Sequence, residues 1–593
     1  MLLIPRRISA LAVLLLLGCS ALLAQTGEIT GIVTDPGGSV VPRAKVTISE
    51  TSTGTRRNVE TNADGVYAAP SLLPGPYSML VEHPGFKQFT RTGLQLQVGQ
   101  QLRLDFRLEI GAVSEQVIVE AQAPVLETEN TTVGQVVQGR QIVNLPLLGR
   151  NPYALGGLVP GVRISRGMND LPVDQISTAS ISINGARGNQ NEFLLDGAPN
   201  TAPAQNQPVI YANADSVQEF KVETNSYSAE YGRAAGGVFN VVTKSGTNDL
   251  HFSAYEFLRN NALSANDWFA NLGGQKIPPL RFNQFGGVLG GPVIVPKLYN
   301  GRNKTFFFVS TELVRFVQGI TYAGSVPSPA ELTGDFSRTL NAAGKPIVIY
   351  DPQTTRANPS GSGFVRDPFL NNVIPPNRIN SVSAKMRTYF PSPNLPGAQF
   401  TGANNYVRTD ANRIEKNTYS ARLDHNFTDT TRFFARYSHD DSPWIRASPY
   451  GFDDPGSPGF GAQVFTRHNA VVEINHVFSP SLIATLRGSY SRLSNFRGPI
   501  SQGFDITKLG FPATYAAQVG APDAFPAINI TGYSVSGSIP NSARVGALGE
   551  TGLIAFGMNN YSLQGQVSKN FRQHEIRMGG EARVIQFNAL QTG

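Results

Sequence analysis

The chain holds one cysteine, Cys19, in 593 residues. A lone thiol excludes an internal disulfide and any cysteine-rich zinc site. The seven histidines, at 83, 251, 425, 439, 468, 476 and 574, are scattered. None has Glu three residues on, so no metal site is expected. Charged residues make up only 15 % of the chain, and the 49 basic and 42 acidic residues form no basic block. Nucleic acid is therefore not an expected partner. No apolar run after the N-terminus approaches the ~20 residues that a membrane helix needs. Catalytic signatures are missing too. Lys244-Ser245 follows Thr243 and fails the phosphate-loop spacing. Gly286-Gly287-Val288-Leu289-Gly290-Gly291 is no dinucleotide fingerprint and is expected to let a strand bend or pack closely. Asn62-Ala63-Asp64-Gly65 lacks the later Glu of a calcium loop and reads as a hairpin turn. With no Gly-x-Ser-x-Gly elbow either, no catalytic residue and no cofactor is expected, and the chain does not read as an enzyme.

What the chain has in quantity is Gly (60) and Pro (40), which suits many strands joined by turns. The N-terminus reads as an export leader over residues 1–24. Arg6 and Arg7 precede the apolar stretch Ile8 to Leu17, and Ala24 followed by Gln25 is a cleavage point. Leu16-Leu17-Gly18-Cys19 is a lipoprotein-like alternative. Cleavage after Ala24 would remove the only thiol. An exported chain without a membrane helix is periplasmic, extracellular, or a β-barrel of the outer membrane.

Residues 25–110 read as a small β-sandwich. Turn signals recur at Asp35-Pro36-Gly37-Gly38, Ala63-Asp64-Gly65, Leu73-Pro74-Gly75-Pro76 and His83-Pro84-Gly85. Leu102, Leu104, Phe106, Leu108 and Ile110 alternate with polar residues, which predicts a strand with one buried face. Gly31-Ile32-Val33-Thr34-Asp35, Asp64-Gly65-Val66-Tyr67 and Gly85-Phe86-Lys87 resemble the carboxypeptidase regulatory-like domain. That resemblance implies a transthyretin-like sandwich and no peptidase activity.

Residues 122–248 carry, in order, a helix candidate at Arg140 to Leu145, strands at Ile181-Ser182-Ile183 and Phe193-Leu194-Leu195 that end in tight turns at Asn184-Gly185 and Asp196-Gly197, and a strand at Val217 to Val222. Tyr231-Gly232-Arg233, Gly236-Gly237 and Asn240-Val241-Val242-Thr243-Lys244-Ser245-Gly246 follow. This series resembles the plug domain of TonB-dependent outer-membrane receptors and its passage into the barrel.

From 249 to 593 the chain alternates. Tyr419, Ala421, Leu423 and Phe427 oppose Ser420, Arg422, Asp424 and Asn426. Ala470, Val472, Ile474 and Phe478 oppose Asn469, Glu473 and Asn475. Tyr561, Leu563, Gly565, Val567 and Phe571 oppose Ser562, Gln564, Gln566, Ser568 and Asn570. An apolar face against a polar one is what lipid outside and water inside require, although a soluble antiparallel sheet alternates in the same way. Tyr561 and Phe571 would lie roughly 25 Å apart along a membrane normal, the spacing of aromatic girdles. Two long irregular stretches, about 318–415, which is Pro-rich, and about 497–559, read as extracellular loops.

The resemblance covers the mature chain and is strongest to the Oar-like group, which Arg281-Phe282-Asn283-Gln284-Phe285-Gly286-Gly287 and Lys304-Thr305-Phe306-Phe307-Phe308 also fit. It implies a mainly β protein: leader, sandwich, linker over 111–121, α/β plug and antiparallel transmembrane barrel. Within the linker, Glu115, Gln116, Val117, Ile118, Val119, Glu120 and Ala121 resemble the TonB box, which pairs as an added strand with the periplasmic domain of TonB. The implied function is binding and energised uptake of an unidentified extracellular ligand at the outer membrane. A surface-binding or adhesion protein without active transport is the alternative. About nine strand candidates follow Asn248, against about 22 in the family barrel, so the sequence reads as a C-terminally truncated receptor with a partial barrel.

Overall fold

Why the N-terminal region folds is visible in its glycines and alternating apolar residues. The computed structural model describes residues 27–593 except 113–114, 121–131, 165–180, 205, 267, 269–270, 272–275, 480, 520–522, 531–544, 572–573 and 593. The expected leader and Ala121 lie outside the described residues. The first body contains β1 (Gly27–Thr34), β2 (Lys45–Glu50), β3 (Arg56–Glu60), β4 (Val66–Leu72), β5 (Gly75–Glu82), β6 (Gln88–Leu96), β7 (Gln101–Arg103), β8 (Phe106–Arg107) and β9 (Gln116–Glu120). One sheet runs β4-β1-β7 with β8 also on β1; the other runs β3-β2-β5-β6-β9. Between them Ile29, Val46, Ile48, Tyr67, Met79, Leu96, Leu102, Leu104 and Phe106 form a dry core.

Gly31 is obligatory by contact. A Cβ there would stand 1.8 Å from the Leu104 carbonyl oxygen, which already accepts the Tyr67 hydroxyl at 2.6 Å. Asn62 caps its own turn, its Oδ1 accepting from the Asp64 and Val66 amides, which makes this segment a hairpin turn. Two expectations need correction. The run 102–110 is not one strand: it is two short strands parallel to β1, after which the chain turns away, so Ile110 is 73 % exposed. The stretch 111–121, expected as a linker, contains a paired strand, because β9 adds in parallel to β6.

The second body is a five-stranded sheet, β10-β17-β18-β13-β14. Its members are β10 (Val133–Gln138), β13 (Glu192–Leu195), β14 (Ala198–Pro199), β17 (Val217–Asn225) and β18 (Val238–Thr243). A short helix, α1 (Gly139–Asn144), follows β10. The pairs β11 (Val162–Ile164) with β12 (Ile181–Ile183), and β15 (Thr201–Ala202) with β16 (Gln207–Pro208), complete it. Phe193 stacks on Phe239 at 5.1 Å between centroids, and Tyr153 meets Phe193 and Phe220 edge-on.

The third body is a nine-stranded antiparallel meander in which every strand pairs with its neighbours in sequence. The strands are β19 (His251–Asn260), β20 (Leu280–Pro292), β23 (Thr305–Gly324), β26 (Tyr406–Thr428), β27 (Thr431–Ile445), β28 (Phe460–Ser479), β29 (Leu482–Pro499), β30 (Leu553–Phe571) and β31 (His574–Thr592). The small hairpins β21 (Ile294–Val295) with β22 (Tyr299–Asn300), and β24 (Arg356–Ala357) with β25 (Phe364–Val365), lie in connections. At one end the connections are short; at the other they are long, spanning 325–405 and 500–552. These loops begin later and end earlier than expected because β23 and β26 stay paired up to Gly324 and Tyr406. They pack on one another through Met386, Tyr389, Phe504, Leu509 and Phe525.

Side chains along the meander split as polarity requires. Tyr419, Leu423, Val472, Ile474, Tyr561 and Leu563 are exposed on the outer face, while Arg422, Asn469, Glu473, Asn475, Ser562 and Gln564 are buried inside. Gly286 permits close packing rather than a bend, since a Cβ would stand 2.2 Å from the Thr311 carbonyl.

The first body carries its own core between its two sheets, so residues 27–120 are expected to unfold cooperatively as an isolated fragment in a urea titration followed by circular dichroism. Gly31→Ala should lower that stability by about 1–3 kcal/mol, because the methyl group must displace backbone. An unchanged midpoint would show that β1 and the Leu104 segment are not packed as described.

Candidate functional site: the interface of plug sheet and sheet wall

The five-stranded sheet lies against the inward polar face of the meander, and one turn anchors it. Between β13 and β14 the chain reverses at Asp196 and Gly197, both at positive φ (49° and 70°). The tight turn drives the Asp196 carboxylate into the wall. Oδ1 accepts from Arg422 Nη1 at 3.2 Å and from the Thr243 amide at 2.8 Å. Oδ2 accepts from Arg436 Nε at 2.6 Å and from the Thr243 hydroxyl at 2.8 Å. All four residues are buried. Gly197 has no room for a side chain: a Cβ would stand 2.2 Å from Arg487 Nη1, and its carbonyl accepts from that nitrogen at 3.0 Å. Burial alone would raise the Asp196 carboxyl; Arg422, Arg436 and the Thr243 donors outweigh it and hold the carboxyl below its usual range.

Further pairs extend the seam. Arg487 is held by Glu473, Arg583 bridges Glu192 at 2.8 Å, and Arg150 pairs with Asp215 at 2.7 Å while lying over Tyr255. Lys416, Asp440 and Arg467 form a buried triad of the wall. Sequence reading placed Arg422 on the polar face and Asp196 in a turn, but it named neither as a site residue. The partners stand 226 and 240 residues away, a separation that no local pattern reports.

The sandwich sits across the short-turn end. Val98 N donates to Glu219 Oε2 of β17 at 2.7 Å, and Glu28 pairs with Arg577 of β31 at 2.7 Å. Asn248 donates to the Thr53 carbonyl, Asn426 to Thr55, and Arg432 to the Ser71 carbonyl. A polar cavity of about 400 Å³ lies between the three bodies, lined by Glu28, Lys221, Glu223, Glu230 and Arg577 among others. Burial raises Glu219 to about 7, and burial with the neighbouring Glu575 raises Glu28 to about 8.

The TonB-box-like residues are elsewhere. Gln116 to Glu120 form β9 on the far edge of the sandwich sheet, with Val117 opposite Phe89 and Val119 opposite Arg91. Lys87 pairs with Glu115 at 3.2 Å, and Gln116 donates to the Thr90 hydroxyl. None of these residues reaches the Asp196 seam.

Two outcomes follow from the charges. Asp196→Asn leaves Arg436 buried without a carboxylate and should cost about 3–5 kcal/mol in plug stability, read as a lowered urea midpoint for protease access to residues 192–243. Protection equal to the unaltered chain would remove this turn as the anchor. Docking of the sandwich should weaken as pH rises. Glu28 and Glu219 bind their protons more tightly when docked than the ordinary Glu value of 4.5, so the stabilisation is full below that value and is lost as pH rises through about 7 and 8. Protease access to Val98 measured from pH 5 to 9 should increase across that window, and should flatten in Glu28→Gln with Glu219→Gln.

Comparison with known proteins agrees with this order of parts. Residues 28–109 match the carboxypeptidase regulatory-like domain, 128–238 the TonB-dependent receptor plug domain, and 242–593 the outer membrane beta barrel domain. The TonB-dependent transporter Oar of Myxococcus xanthus is 30 % identical over 287 residues, which are 47 % of this chain and 26 % of that relative. Among solved structures, the outer membrane transporter YddB of Escherichia coli is similar at 13 % identity and a TM-score of 0.43, covering 77 % of this chain and 48 % of its own. The siderophore receptor PirA of Acinetobacter baumannii is similar at 13 % identity and a TM-score of 0.40, with the same coverage. The chain thus spans under half the length of these relatives. With the barrel match taking in more than half of the chain and the plug and regulatory-like domains preceding it in order, the chain belongs to the TonB-dependent receptors of the outer membrane.

Proposed function

We propose that this chain serves binding and energised uptake of an extracellular substrate, with Glu115 to Ala121 as the segment that couples to the periplasmic domain of TonB. The domain boundaries that go with this reading are a leader over 1–24, a sandwich over 25–110, the coupling segment within 111–121, a plug over 122–248 and barrel strands over 249–593. The family is one of transporters rather than enzymes, and no catalytic role is assigned.

One observation carries the reading: β9 is the last strand of its sheet, so its outer edge has no strand beside it among the described residues. Gln88 N donates to the Glu115 carbonyl at 2.8 Å. Backbone groups alternate along a strand, so Glu115, Val117 and Val119 address β6, while Gln116, Ile118 and Glu120 address the open edge. Strand addition there needs no prior unfolding of the sandwich.

A surface-binding or adhesion role without transport is the second reading. The aromatic core that orders the two long loops favours it, because a firm outer cap suits lasting attachment.

The experiment uses the alternation. Ile118→Pro removes an open-edge donor and should abolish binding of the purified periplasmic TonB domain to the full chain in detergent, while the sandwich melts as before. Val117→Pro removes a donor to β6 and should lower both. Equal TonB binding by the unaltered chain and Ile118→Pro would eliminate β9 as the coupling strand; no TonB binding by either would favour attachment over uptake.

A further inference from the structure

Near the long-loop end, strand register sets six residues at one level of the wall. Phe282 is opposite Phe316, Phe316 opposite Ile414, Ile414 opposite Trp444, Trp444 opposite Gln463, and Gln463 opposite Arg497. The first four are buried and, with Val314, form an apolar cluster on the inner face. Much of the inner face is polar, as Asn469, Glu473 and Gln564 illustrate, and the buried wall residues Phe465, Leu493 and Met558 join the core of the five-stranded sheet, whereas this cluster is made of wall residues alone.

The other end of the belt is rich in donors and has used up its acceptors. Gln463 Oε1 accepts from Arg446 Nη2 at 2.7 Å, and Gln463 Nε2 donates to Asn495 Oδ1 at 2.8 Å. What remains is Trp444 Nε1, Arg446 Nε, Arg497 Nε and Asn495 Nδ2, four buried donors without an acceptor among the described residues. Arg446 lies over the Trp444 ring at 3.6 Å, and Arg497 over Phe460 at 3.7 Å. The two guanidiniums repel one another. Neither forms an ion pair among the described residues, although the field of Glu550 reaches Arg497. Deeper in the wall, Arg422, Arg436, Arg467 and Arg487 each hold a carboxylate. A buried donor without an acceptor is costly, and a pair of guanidiniums without an ion-pair partner more so, so the cluster is complementary to an anion that no described residue places in contact with it.

We propose that this belt is a subsite for a ligand bearing a carboxylate on an apolar body, such as a peptide C-terminus with hydrophobic residues. Arg446, Arg497, Trp444 and Asn495 take the carboxylate; Phe282, Phe316 and Ile414 take the body. A planar, singly charged acceptor matches the guanidinium fork and is easier to dehydrate beside an apolar arc than a doubly charged phosphate. The proposal rests on the uptake reading above and gives it a substrate class.

Trp444 is a built-in reporter. The chain has two tryptophans, so Trp268→Phe isolates it. N-acetyl-Leu-Phe as the free acid, its C-terminal carboxamide, and acetate are titrated into the full chain in detergent, with Trp444 fluorescence and calorimetry as readouts. The acid should bind about tenfold tighter than the carboxamide, as a charge-assisted contact requires. Arg446→Gln with Arg497→Gln should erase that difference while carboxamide binding persists. If the double variant does not fold, the ratio of acid to carboxamide in the unaltered chain decides. Equal binding of acid and carboxamide overturns the anion site, and acetate binding as tightly as the acid overturns the apolar half. Failure of the acid to saturate while the TonB domain still binds through β9 overturns this inference and leaves the uptake reading standing.

Discussion

The Asp196 carboxylate between two guanidiniums is the contact on which the arrangement depends. A sheet placed inside a wall of inward polar residues must present a partner for each buried charge, or leave it in a medium where an unpaired ion costs several kcal/mol. Asp196 meets two such charges at once because its turn allows both its own positive φ and that of Gly197. A glycine beside it lets Arg487 approach the backbone. Thr243, at the end of β18, donates twice to the same carboxylate. The lock therefore joins the β13–β14 hairpin of the plug, the last strand of the plug and three wall strands.

Contacts at the short-turn end are of a different kind. They are single hydrogen bonds and one ion pair around a polar cavity, and two of the carboxylates there are raised towards neutrality. Wet, individually weak contacts release at lower cost than the dry pairs around Asp196.

The sequence made the periodic features legible and left the pairings dark. Leu102 to Leu108 and Tyr561 to Phe571 could be read because a two-residue period needs only one buried face to show itself. Ile110 continued that pattern on paper, but the chain had already turned, and nothing local marked the turn. The partner of β9 was unreadable because a parallel pairing of 88–92 with 116–120 depends on the crossover between them, not on the residues of either strand. Asp196 was visible only as a turn residue; its electrostatic role belongs to arginines on strands whose register no single sequence sets. The belt from Phe282 to Arg497 is the extreme case. It exists only if six strands align to the residue, and a slip of one would turn its side chains outward.

Sheet order then constrains how a pull on β9 could reach the plug. The chain runs from β9 to β10, and β10 is the outer strand of the order β10-β17-β18-β13-β14. Its side chains are mostly exposed, so it is held to β17 chiefly by backbone hydrogen bonds. The Asp196 lock lies at the opposite edge, in the β13–β14 turn, with β17 and β18 between. A tensile load entering through β9 therefore meets the weakly held edge first and the charged lock last. Peeling β10 exposes the outer edge of β17, whose Glu219 holds the sandwich. The seam at Asp196 holds the remainder of the sheet to the wall. A partial opening at one edge is what this topology favours over expulsion of the whole domain.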